Sequence, residues 1–387
     1  MKAPDFLGYE RPCGLAGLRN HLLLLSPTGL TTPLCRRVAA QLRGTIAIGT
    51  GYGSGQLGDD AAIHARCLAG FACHPNVAAI VVIGADSLKI EPLVRAAEAS
   101  GRPCAGLCLD DFGHDALRLG DAALRAAAGL LKVISGQQRK RLPASELMLA
   151  LECGRSDPSS GLVANPLAGL MADAVIDAGG SAIFGETTEW LGAETILTTR
   201  AVSPRVAQAV NAAAASREQY AVAQGLDLTY NNPSLTNIEA GLTTIEEKSL
   251  GAVAKSGNRP LQGLLSYGEV PPAAGLWAMD AAAYAPESLT GFTAAGCNLA
   301  LFTTGVGNSY TSVLMPTIKL SANPETASRI TTQIDFTGER VFTGEETLES
   351  AADRLLAQIA ATASGELTYG EILGDCDEVI SRFGASL

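Results

Sequence analysis

Positive charge is what this chain most plainly lacks: 28 lysines and arginines stand against 39 aspartates and glutamates, a formal net charge of −11. Nucleic acids and anionic membrane surfaces are bound through basic faces, so neither is expected as a partner. A single well-placed arginine or lysine still suffices for a small acidic substrate. No apolar run approaches the ~20 residues a bilayer-crossing helix needs. The opening MKAPDFLGYERP lacks the apolar core segment of a secretory signal. The nine cysteines are odd in number and irregularly spaced, which argues against a disulfide framework and for a reducing, cytoplasmic setting. No internal repeat is visible, and the only biased tracts are alanine-rich stretches such as 206–215.

What is present suffices for two hydrophobic cores: 387 residues, 47% of them apolar. Short apolar runs at 21–25, 45–48, 78–83 and 105–109 alternate with amphipathic stretches at 60–73, 90–99 and 115–133. That strand–helix rhythm predicts a parallel, doubly wound sheet. The polar, basic segment 135–145 carries a proline and reads as a linker. A second unit follows, with strands starting at 147, at 181–184, 262–266 and 299–302, and a helix opening near Pro166. A tail helix over 348–364 is expected on the outside. The fold class is therefore α/β, two doubly wound, mostly parallel-sheet units, divided as 1–142 and 143–387.

Residues Gly53, Ser54, Gly55, Gln56, Leu57 and Gly58 formally spell GxGxxG between a strand and a helix, with Asp86 after the next strand. The match stands alone and follows the second strand rather than the first, so no NAD is expected. A glycine turn with Asp59 or Asp60 capping the next helix is the simpler reading. The histidines at 21, 64, 74 and 114 assemble no ligand set, and His74 is read as orienting a turn. Cys35, Cys67, Cys73, Cys104 and Cys108 fall inside predicted elements as apolar filler.

The densest polar chemistry is LECGRSDPSSGLVANP at 151–166, where an apolar strand stops at Cys153 and opens onto a tight polar loop before a helix. In α/β enzymes such a loop displays reactive groups at the carboxyl end of the sheet. The segment resembles the signature loop of the altronate/galactarate dehydratase family, which also holds the large subunit of sulfolactate sulfo-lyase. Further blocks follow in family order: GYERPCGLAGLRN (8–20), GYGSGQLGDD (51–60), HPNVAAIVVIG (74–84) and GETTEWLGAE (185–194). AGLTTIEEKSLG (240–251), LFTTGVGNSYTSVLMPTIKLSAN (301–323) and ASGELTYGEILG (363–374) complete the set.

The resemblance implies a lyase that removes the proton beside a carboxylate, expels water and yields a 2-keto-3-deoxy acid. Alternatives are expulsion of sulfite, an isomerase or racemase using the same enolate, and a binding paralogue without catalysis. Glu186, Glu189, Asp157 and Lys319 are the expected catalytic residues, with Glu194 a further matched acid. Arg155, which replaces a usual glycine, brings a guanidinium suited to a carboxylate or sulfonate. Arg19, Asn20, Ser54, Gln56, Ser156, Asn165, Thr303, Thr304 and Asn308 are expected to bind substrate; Asn237 and Lys248 also match. Relatives are described as iron-dependent, but the matching cysteine and histidine positions are Leu30, Thr50, Ser54 and Ser87 here. A metal, if retained, would then use oxygen ligands from Asp86, Asp157 and Glu186, favouring magnesium, manganese or calcium over iron. The resemblance also implies a homo-oligomer, and a separately encoded small subunit, since this chain begins directly at the large-subunit segment.

Overall fold

The computed structural model describes residues 2–228 and 231–383. Its first unit is a four-stranded sheet in the order Thr45–Gly49, His21–Ser26, Val77–Gly84, Cys104–Cys108, every pair parallel. Val77–Gly84 is buried along its whole length, as expected of a central parallel strand covered on both faces, and this explains its unbroken apolar sequence. The connecting helices are Thr32–Ala39, Gly58–Ala72, Ser87–Ala99 and Ala116–Ile134. Neither Asp59 nor Asp60 caps the second of these: Leu57 holds the cap position, and the two acids lie inside the first turn. There their charge faces the positive end of the helix dipole.

The second unit is a seven-stranded sheet in the order Phe336–Thr337, Thr317–Ser321, Leu299–Thr303, Met148–Cys153, Ser181–Phe184, Gly275–Met279, Leu261–Leu265. All its pairings are parallel. From Met148–Cys153 the chain builds outward on one side, then returns to the other side at Leu299–Thr303. The order therefore reverses between these two strands, and their carboxyl ends bound the crevice where doubly wound folds bind ligands. The helix Asn165–Asp177 starts beside Pro166, whose missing N–H costs nothing in a first turn.

Two features tie the sheets together. Leu23, Leu25 and Phe71 share one buried cluster with Met148, Ile183, Phe292 and Phe302. His74 and Asn76 bridge the units by hydrogen bonds: His74 Nε2 lies 2.9 Å from the Cys297 carbonyl, and Asn76 Nδ2 donates to the carbonyls of Asn298 and Leu314. His74 Nδ1 accepts from the Asn76 N–H, so the ring is neutral, and burial holds its pKa at about 3.

The segment expected as a free linker is instead fixed. Lys140–Leu142 pairs antiparallel with Phe6–Gly8. The Arg139 guanidinium donates to the carbonyls of Leu7, Leu18 and Ala363, while the Leu7 N–H reaches Ser364 Oγ at 3.0 Å. Its polar composition suits an exposed two-stranded ribbon as well as it suits a linker, which is why the two readings coincide in sequence. The helix Leu348–Ala363 packs its Ala351, Leu355 and Ile359 onto the core of the larger sheet. Among the described residues no helix is long and apolar enough to cross a membrane.

Candidate active site

Three strand ends build the site. Beyond Met148–Cys153, the Gly154 N–H donates to the Thr303 carbonyl at 3.0 Å, closing the two switch-point strands together. Arg155 then adopts φ +53° and Glu186, just past Ser181–Phe184, adopts φ +65°. A left-handed backbone costs a residue with a side chain on the order of 1–3 kcal/mol, and such strain collects at functional sites. At Arg155 it also explains why glycine would be the easier residue there.

Glu186 is held in that conformation by its carboxylate. Its Oε2 accepts from the Cys153 N–H at 3.2 Å and from Lys255 Nζ. Cys153 Sγ donates to Glu189 Oε2 at 3.0 Å, and Lys255 Nζ lies 2.9 Å from the same sulfur. Lys248 Nζ sits 2.8 Å from Glu189 Oε1 and also donates to Asn232 Oδ1. Cys153, Glu186, Glu189 and Lys255 are each at most 3% exposed. Two carboxylates and two ammonium groups balance in charge, which a dry site requires.

The electrostatics separate the roles. Burial and the neighbouring Glu189 push the Glu186 carboxyl up, the direction that suits a base. Burial would also raise Glu189, but Lys248 and Lys255 outweigh it and hold that carboxyl below the usual range. For Lys248 and Lys255, burial is outweighed in turn by the anions around them, so both stay protonated. Burial and the same carboxylates drive Cys153 well up, so it is a thiol. Glu152, wholly buried, is driven well up by burial and by Glu186. It accepts from Ser288 Oγ at 2.5 Å through Oε2, while Oε1 has no hydrogen-bond partner among the described residues, as suits a neutral acid.

The cluster opens onto a cleft of about 410 Å³, lined by Arg155, Glu186, Glu189, Lys248, Asn237, Tyr284 and Asn308 among others. Of the residues expected from the sequence, the cleft therefore brings together Arg155, Glu186, Glu189 and Asn308. Lys319 lies behind it: Nζ donates to the Asn308 carbonyl and sits 4.6 Å from the centre of the Phe302 ring. Burial lowers its pKa to about 7.

The remaining expected residues hold the scaffold instead. Both Asp157 oxygens are engaged, Oδ1 by Ser159 and Ser160 and Oδ2 by Asn323 Nδ2. Asp157 is thus a turn-forming carboxylate rather than a free base or metal ligand. Thr303 Oγ1 donates to Asn165 Oδ1, Asn165 Nδ2 to the Gly251 carbonyl, and Thr304 Oγ1 accepts from Gly307 N–H. Ser156 is buried, its carbonyl taking the Asn237 amide. Every guanidinium nitrogen of Arg19 is bonded to Glu371 or to the carbonyls of Leu18, Thr362 and Glu366, and Asn20 binds Arg11 and the Ile134 carbonyl. Arg19 thus has no donor left for substrate, and Asn20 is anchored among scaffold groups away from the cleft. Ser54 and Gln56 follow Thr45–Gly49 on the other sheet, outside the cleft lining. Asp86 caps the helix Ser87–Ala99 by accepting from Lys89 N–H.

Sequence reasoning missed Lys255 and Glu152. The only signals were a carboxylate inside an apolar strand and a lone lysine in the alanine-rich GAVAKSG. Cys153 Sγ and one oxygen each of Glu186 and Glu189 lie within 4.8 Å of one another, a set that could hold a metal ion. As arranged it does not fit one, because the Lys255 ammonium contacts all three groups. The all-oxygen set expected from Asp86, Asp157 and Glu186 does not assemble, since the first two are committed to a helix cap and a turn. Leu30, Thr50, Ser54 and Ser87 follow three strands of the smaller sheet and offer neither thiol nor imidazole.

Comparison with known proteins agrees with this architecture. Residues 144–386 match the model described as D-galactarate/altronate dehydratase, C-terminal, and residues 8–135 match D-galactarate dehydratase/altronate hydrolase, second domain. The chain is 36% identical to (2R)-sulfolactate sulfo-lyase subunit beta of Chromohalobacter salexigens, covering 99% of this chain and 98% of that one. It is 31% identical to altronate dehydratase of Bacillus subtilis, over 95% of this chain and 75% of the relative. A galactarate dehydratase (L-threo-forming) of Escherichia coli is 31% identical over 79% of this chain, which spans 60% of that protein. Two matched models that between them run through both sheets, and relatives at least 31% identical over most of this chain, place it in the D-galactarate/altronate dehydratase family.

Proposed function

We propose that the cleft carries out β-elimination on a small hydroxylated carboxylic acid, giving an enol that collapses to a 2-keto acid. The observation that carries this reading is the pair Glu186 and Glu189, backed by two ammonium groups and facing a cleft with Arg155 on its lining. Glu186 takes the proton beside the substrate carboxylate, its basicity raised by burial. Arg155 grips the acid group through paired N–H donors, and Lys248 stabilises the enolate charge that develops as the C–H bond breaks. The electron pair then forms the C=C bond and the β-group leaves with its own pair.

Among leaving groups, sulfite departs as a weakly basic anion, whereas hydroxide needs a proton donor or a Lewis acid. The site's fixed cations favour sulfite, and the near-complete match to the sulfo-lyase beta subunit supports it. Loss of water is the second reading, favoured by the match to altronate dehydratase over 95% of the chain. Because that sulfo-lyase relative is named as a subunit, we also assign this chain a small separately encoded partner, with homo-oligomerisation and a cytoplasmic location as further parts of the proposal.

The test is turnover by the purified chain, alone and with such a partner, on sulfolactate and on altronate or galactarate in heavy water. Formation of 2-keto acid with solvent deuterium in the product is expected, sulfite release marking the first substrate class. Absence of both keto acid and deuterium exchange with every acid, while Glu186→Gln binds them as the parent does, would sink the elimination reading and leave a binding paralogue.

A further inference from the structure

Lys255 belongs to the short turn Ala254–Ser256 that follows the helix Ile245–Val253. A lysine there would ordinarily reach water, yet this one is 1% exposed. Its Nζ lies 2.9 Å from Cys153 Sγ and 3.7 Å from Glu189 Oε2, and it bonds Glu186 Oε2. These are the same three residues whose ligand atoms lie within 4.8 Å of one another. We infer that the Lys255 ammonium is the resident cation of the Cys153–Glu186–Glu189 cluster, standing where a divalent ion would otherwise bind.

Cys153 Sγ and Glu186 Oε2 each accept from the ammonium, and Glu189 Oε2 adds an ionic contact at 3.7 Å, so its charge is neutralised from three sides. A metal ion bonded to the same atoms at about 2.0–2.3 Å would sit against Nζ, placing like charges in contact in a dry pocket. Ligation would also require Cys153 to give up the proton with which it binds Glu189 Oε2. Lys255 thus acts as a positioning residue. It fixes the Glu186 carboxylate that faces the cleft and does not itself line that cleft. The inference goes beyond the elimination reading and holds whichever group leaves.

Cobalt(II) titration of chelator-treated full-length protein tests it without any turnover assay, because a cobalt–thiolate bond gives a charge-transfer absorption. The wild type should show no such band. Lys255→Met, which keeps the apolar stem and removes the charge, should gain the band with about one bound equivalent, since one ammonium is exchanged for one ion. Adding Cys153→Ser to that variant should abolish it. Two results would overturn the inference: a band in the wild type that Cys153→Ser removes, or a folded Lys255→Met protein that shows none. Should Lys255→Met fail to fold, Lys255→Gln takes its place and the wild-type titration stands unaffected.

Discussion

The four- and seven-stranded sheets are both parallel and doubly wound, yet their carboxyl ends differ in what they bury. At the end of the four-stranded sheet lie Leu30, which is 70% exposed, the exposed Ser54 and Ser87, and Thr50, whose Oγ1 is taken by the Tyr52 N–H. At the end of the seven-stranded sheet lie two buried carboxylates, the buried Lys255 and the half-buried Lys248 ammonium groups, and two residues held at positive φ. The same topology provides a crevice in both places. What differs is the buried carboxylate–ammonium cluster at the second, and the proposed elimination rests on that cluster rather than on the winding.

The sharpest way to break the contrast is at its charged end. Glu186→Gln should lower kcat by about 10²–10⁴-fold, the usual contribution of a positioned base, with little change in KM. Substituting Ser54 or Ser87 by alanine, at the other end, should leave kcat unaltered. Equal losses at the two ends would erase the distinction drawn here.

The next largest effect concerns the joint between the sheets. His74 is held neutral with a pKa of about 3 against an ordinary value of 6.5. A depressed histidine pKa means that the unfolded chain takes up the proton first, so stability is complete above pH 6.5 and drains away as pH falls toward 3. His21 and His64, each lowered to about 4 by burial, act in the same direction. Urea midpoints measured from pH 7 downward should fall across this window, and His74→Gln should flatten part of the slope. A His74→Gln protein with the parent's full pH dependence would show that the joint does not sense acid.

Arg155→Gly should separate strain from binding. Relief of the left-handed backbone should stabilise the fold by about 1 kcal/mol, visible as a higher urea midpoint, while KM for the acid rises. A raised KM without added stability would mean that the loop relaxes by other means. The smallest effect is expected at Asp86, where Asp86→Ala removes a helix cap worth about 1 kcal/mol and should leave metal content and kcat as they were. A loss of activity there beyond the loss of stability would restore Asp86 as a site residue.

Much of the frame was legible in sequence because parallel strands covered on both faces read as unbroken apolar runs. Val77–Gly84 is a case in point, and Met148–Cys153 departs from it only at Glu152. Glu186 and Glu189 were legible as acids after a strand end. Lys255 was not, since it pairs with a cysteine 102 residues away, and nothing local separates it from a solvated lysine. Asp157 misled for the opposite reason: an acid among serines looks reactive, and those same serines are what occupy it. Arg19 misled likewise, its partner Glu371 being 352 residues distant.

The ribbon that joins Phe6–Gly8 to Lys140–Leu142 has a consequence for how the protein is made. Leu7 waits for Ser364, and Arg139 for the Ala363 carbonyl. On a chain made from the amino end, the strand Phe6–Gly8 is therefore fully clasped only once residue 364 has emerged. Until residues 140–142 emerge the strand has no partner at all, and its last bond closes only with the end of the tail helix.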